Sequence, residues 1–94
     1  MSIKFLIGEI ASQPAVVTRN VGNSTSIMVF VLIKVGGTYE KFCYEDSVPG
    51  KTLSNILVSS VGDRVRVGTL SNYYFSTKKI EQFYNVTRCL GDGF

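Results

Sequence analysis

The chain has 94 residues, 45% of them apolar and 18% charged, with a formal net charge of +3 and a mean hydropathy of +0.18. That length holds one domain, the apolar content excludes a disordered polyelectrolyte, and no apolar run approaches the ~20 residues of a membrane span. Val, Ile, Thr, Phe and Tyr supply 37 residues against two Ala, which favours strands, and the lack of His removes the commonest general base and metal ligand.

The first predicted strand covers residues 3–11, where Ile3, Phe5 and Ile7 alternate with Lys4, Leu6 and Gly8. Gly8 inside a strand predicts a bulge or sharp bend. Pro14 breaks the ladder, so residues 15–17 are either a continuation or an edge, and residues 20–24 form a turn. The second strand spans residues 26–35. Its seven consecutive apolar residues, Ile27 to Ile33, are too short for a membrane and too β-branched for a helix. Gly36-Gly37 permits the positive φ values of a tight hairpin into a third strand over residues 38–44.

Residues 45–52 read as loop. Thr52 can cap a short helix over residues 53–60, with Leu53, Ile56, Leu57 and Val61 as its apolar stripe. The fourth strand runs from Arg64 to about Phe75, residues 76–79 turn the chain, and the fifth strand spans residues 80–90. Residues 1–90 form the domain and residues 91–94 a short flexible tail.

The predicted class is all-β. Five short strands leave two edges unless they close on one another. Rolling them into a barrel, with the helix between strands 3 and 4 plugging one end, gives an OB-fold, whose loops hold oligonucleotides or oligosaccharides. An SH3-like barrel or small sandwich leaves that helix unexplained.

The charge excess lies in the second half. Residues 1–47 balance to zero and residues 48–94 carry +3, which suits a polyanionic partner or acidic surface, although +3 is also ordinary for a soluble domain. Arg64 and Arg66 share one strand face, with Val65 and Val67 on the other. Tyr73, Tyr74 and Phe75 follow, then Lys78 and Lys79 at the turn. Aromatic platforms beside cations are what single-stranded nucleic acid requires. On the plainer reading Tyr73 and Phe75 face the core and the lysines only solubilise the turn. Lys4 and Lys34 extend the basic surface, and Arg19 is a candidate phosphate contact; each also reads as a solvated lone charge. In the third strand Phe42 and Tyr44 share one face and Tyr39, Lys41 and Cys43 the other, with the core face undecided. Phe83 and Tyr84 point opposite ways, so one packs inside. If Ile27, Val29, Val31 and Ile33 line the core, then Met28, Phe30 and Leu32 form an outer apolar stripe. Such a stripe marks an interface, here a homodimer or higher oligomer through the second strand, or else a base platform at Phe30.

Phe5-Leu6-Ile7-Gly8-Glu9-Ile10, then Gly50-Lys51 with a short helix, Gly62, and Val65-Arg66-Val67-Gly68-Thr69-Leu70, together resemble bacterial and phage single-stranded DNA-binding proteins. The likeness covers most of residues 3–90 in order and spacing, and extends to primosomal replication proteins of the same fold. It implies binding of single-stranded DNA on the outer barrel face, with oligomers of two or four chains. It also implies stacking roles for Phe75, five residues beyond Leu70, and for Phe42, allowing one inserted residue. Pro49 stands where the family has a second aromatic, the family's tryptophans are absent, and only Asp92 and Phe94 echo its acidic tail.

The expected function is non-sequence-specific binding of single-stranded DNA, with RNA as the variant substrate, in replication, recombination or repair. The alternative is a protein-interaction β-barrel acting as a subunit or adaptor of a replication complex. No phosphate loop, nucleophile elbow or paired-carboxylate motif is present, so neither enzymatic activity nor a cofactor is expected. Residues 1–15 lack a signal-peptide pattern because Glu9 interrupts the apolar stretch. Two cysteines are too few for a disulfide scaffold. A reducing cytoplasm, or that of a host cell, is the expected setting, with no membrane contact; Cys43 and Cys89 read as small buried hydrophobes, able to approach if a closed barrel makes strands 3 and 5 neighbours.

Overall fold

A computed structural model describes residues 3–46, 50–70 and 77–91. In chain order the elements are β1 (Ile3–Ile10), β2 (Ala15–Val21), β3 (Ser24–Val35), β4 (Thr38–Asp46), α1 (Lys51–Leu57), β5 (Arg64–Leu70), β6 (Thr77–Asn85) and β7 (Leu90–Gly91). The all-β class with one short helix stands. The count differs from five because residues 15–21 form their own strand after Pro14 and a two-residue strand follows β6.

The sheet closes into a ring. β1 pairs antiparallel with β5 along Ile3 to Glu9, then with β3 at Glu9 and Ile10. β3 pairs with β4, β4 runs parallel to β6, and β6 returns antiparallel to β5. β2 extends the sheet from β3, and β7 lies on β6. Gly8 sits where β1 changes partners. A Cβ there would lie 2.5 Å from the Lys34 carbonyl oxygen and 2.7 Å from Ile33 Cγ2, so only hydrogen fits between the strands. The Gly8 signal in the sequence therefore reports close strand approach.

Period-two alternation decides the inside of the ring. Val29, Val31 and Ile33 of β3, Phe42 of β4, Val65 and Val67 of β5, and Ile80 and Phe83 of β6 are all buried. Ile10 joins them from β1, and Leu53 and Ile56 enter from α1. Gly36 and Gly37 take φ of 57° and 84°, which makes the tight hairpin and pairs Val35 with Thr38.

Several boundaries differ from the sequence expectation. The N-cap of α1 is Gly50 and not Thr52: its backbone is extended and its carbonyl accepts from the Ser54 amide at 3.1 Å. The helix stops at Leu57, which leaves Leu57 and Val61 of the expected stripe exposed. The fifth predicted strand divides. Residues 77–79 join it because β6 pairs with Lys41, Phe42 and Cys43, so Lys78 and Lys79 are strand residues and not a hairpin tip. At its other end the Asn85 side chain accepts the Arg88 amide at 2.9 Å and turns the chain. Gly91, placed at the start of the expected tail, pairs with Tyr84 of β6, and residues 92–94 lie outside the described residues. Among the described residues no helix is long and apolar enough to cross a membrane.

Candidate functional site

With Val29, Val31 and Ile33 facing inward, Phe30, Leu32 and Lys34 take the outer face of β3. The hairpin register then fixes their neighbours on β4: Tyr39 opposite Lys34, Lys41 opposite Leu32 and Cys43 opposite Phe30. On β6 the next residue in the Cys43 row is Lys79. One outer surface therefore presents two exposed rings, Tyr39 at 60% and Phe30 at 38%, among three lysines. Lys34 Nζ stands 5.6 Å from the Tyr39 ring centroid, a cation–π distance. Beside Phe30 a depression of about 380 Å³ is lined by Ser12, Gln13, Ala15, Phe30, Leu32 and Lys41, with Phe42 beneath. Beyond Lys34 a second groove of about 240 Å³ runs over Gly8 and Glu9 to Arg64. The surface can stack flat rings and meet negative charge beside them.

The residues singled out in the sequence divide between locations. Lys34 and Arg64 border one groove, with Glu9 paired to both in the strand registers. Arg66 lies outward as alternation requires, in a row between Ile7 and Tyr84, on a different part of the ring from Tyr39. Lys79 joins the lysine surface. Lys78 does not: it shares the inward register of Phe42 and its Nζ is 3.1 Å from Glu40 Oε1, so its charge is neutralised. Phe42 is fully buried, and the stacking role implied for it is corrected to a core role, because this ring and Tyr44 fill the inside of the sheet. Tyr73, Tyr74 and Phe75 lie outside the described residues. Of the outer apolar stripe only Phe30 is exposed, while Met28 and Leu32 are half-buried. Phe83 packs inside and Tyr84 outside, as opposite parity requires.

The cysteines are also corrected. β6 ends before residue 89, so Cys89 is an exposed turn residue with φ 54°, and Lys79 occupies the position beside Cys43. Both thiols are free. Partial burial raises the Cys43 pKa, opposed by the nearby Lys79 charge. A hydrogen bond with Cys89 raises that of Tyr84.

A polar cluster unforeseen in the sequence lies at the α1 end of the ring. Asn85, fully buried, donates to Ser59 Oγ at 2.8 Å and to Asp63 Oδ2 at 3.1 Å. Asp63 Oδ2 also accepts from the Ser60 amide at 3.0 Å and from Arg88 Nε at 2.7 Å. The Ser60 amide, then Arg88, then Asn85 hold the Asp63 pKa down at about 2. Among the described residues no buried side-chain polar atom lacks a partner, and these bonds make the cluster a structural joint between the helix exit and the β6–β7 turn. Among the described residues no three Cys, Asp or Glu assemble as a metal site.

Tyr39 and Lys41 were the functional candidates that sequence reasoning left undecided. The signal for them is the Gly-Gly turn, which fixes Lys34 opposite Tyr39 once Ile33 is assigned to the core. Comparison of the chain with protein-family models, with curated proteins and with solved structures gave no match, which leaves the geometry to carry the function.

Proposed function

We propose that this chain is a non-enzymatic module that binds single-stranded DNA, or RNA, without sequence preference, serving replication, recombination or repair. The observation that carries the reading is the outer surface where Tyr39 and Phe30 are interleaved with Lys34, Lys41 and Lys79. Bases stack on such rings for about 1–3 kcal/mol each, and phosphates follow the lysines. The closed ring, its parallel β4–β6 seam and the helix between β4 and β5 support an OB-type barrel as the scaffold. On that scaffold Arg64 extends the track across the second groove.

The test is a titration with an oligo-dT strand, followed by tyrosine fluorescence at about 50 and 200 mM salt. Binding that weakens steeply with salt is expected. Tyr39→Ala should lose about 1–3 kcal/mol of affinity, and Lys41→Ala should reduce the salt slope by about one. No binding at low salt, or a Tyr39→Ala protein that binds like the parent, overturns the reading. A second reading, a protein-interaction barrel, is favoured by the exposed apolar row Ile3, Phe5 and Ile7 on β1.

A further inference from the structure

β2 is the one long strand with a hydrogen-bonding edge that meets no other strand among the described residues: β3 occupies one side and the sheet ends there. All seven of its residues are exposed, with Val16 at 50%, Val17 at 48% and Val21 at 60%. Natural proteins blunt such edges with proline, charge or a bulge. Within β2 the register to β3 is unbroken from Ala15 to Val21, and Arg19 is the single charge.

We propose that a second copy of this chain pairs with it antiparallel along β2, and that this edge, in place of the β3 stripe, is the homodimer contact. The strand is self-complementary in the register that uses its whole length. A two-fold axis through Thr18 sets Thr18 against Thr18, Val17 against Arg19, Val16 against Asn20 and Ala15 against Val21. All side chains in this register meet same-face partners, as antiparallel pairing demands. Arg19 never faces Arg19; its aliphatic stem lies over a valine of the other copy. Thr–Thr and apolar cross-strand pairs are favourable in this geometry. The pairing is isologous and closes at two copies, since each edge is consumed by the other. It is independent of the nucleic-acid reading, although it would join two copies of the β3 outer surface into one continuous sheet.

The test uses sedimentation velocity of the full chain from about 1 to 100 µM, on the parent and on two variants at one position. The parent is expected to sediment as a species of twice 10.4 kDa. Val17→Lys places like charges opposite Arg19 and should weaken the dimer roughly tenfold or more. Val17→Glu places an acid opposite Arg19 and should leave the dimer as tight as the parent or tighter. Circular dichroism and thermal unfolding of the monomers confirm that both variants fold. A parent that stays monomeric at the highest concentration overturns the proposal. So does a dimer that responds to both variants alike, which would assign the contact to another face.

Discussion

The two ends of the β3–β6 framework are finished in opposite ways. At one end Ser59, Asp63, Asn85 and Arg88 lock the helix exit to the β6–β7 turn through hydrogen bonds of 2.7 to 3.1 Å. At the other, the β2–β3 hairpin carries β2 on its outer side with all residues exposed and a single flanking strand. The contrast teaches where stability and where adaptability reside. The locked end uses its buried polar groups to hold the fold together. The open end keeps its backbone groups available, and its side chains contribute little to the isolated fold.

Substitutions at the two ends should therefore differ sharply. The largest effect is expected from Asn85→Ala, which removes the hub of the joint and strands Ser59 and Asp63 beside a cavity. Chemical denaturation should show a loss of about 2–4 kcal/mol. A loss below about 0.5 kcal/mol would show that the joint is ornamental. Next is the acid response. Asp63 has its pKa lowered on folding from 3.8 to about 2. The stability it contributes is thus complete above pH ~4 and is lost as pH falls through about 2. Unfolding profiles between pH 5 and 2 should slope downward in the parent, and Asp63→Asn should flatten that slope while lowering stability at neutral pH. The smallest effect is expected from Val21→Thr on the open edge, within about 0.5 kcal/mol by the same assay. If it matched Asn85→Ala, the two ends would not differ in the way the contacts indicate.

Much of the ring was legible because its strands obey a period of two. Val65 and Val67 inside with Arg64 and Arg66 outside follows from alternation alone, and Gly36-Gly37 announced its own hairpin. The β4 faces were not legible, because Phe42 and Tyr44 on one side and Tyr39 on the other are equally suited to a core. Only packing from β3, β6 and α1 chooses between them. The polar joint was hidden for a different reason. Ser59 and Asp63 lie at least 22 residues from Asn85 and Arg88, and each resembles an ordinary cap, turn or surface residue. Their role exists only once the ring brings them together. The end of β6 was missed because Asn85 begins a turn by bonding the Arg88 amide, while its neighbours Tyr84 and Val86 carry strand propensity.

The parallel seam between β4 and β6 has a consequence for how the chain reaches this state. Hairpins such as β3–β4 join neighbours and can form early, at small entropic expense. The seam rests on three residue pairs, Lys41 with Thr77, Phe42 with Lys78 and Cys43 with Lys79, drawn from opposite sides of the helix. Closing it brings together residues far apart along the chain, at a higher loop-closure cost than the β3–β4 hairpin. A ring left open at this seam bares the facing borders of β4 and β6, edges of the kind that recruit a foreign strand.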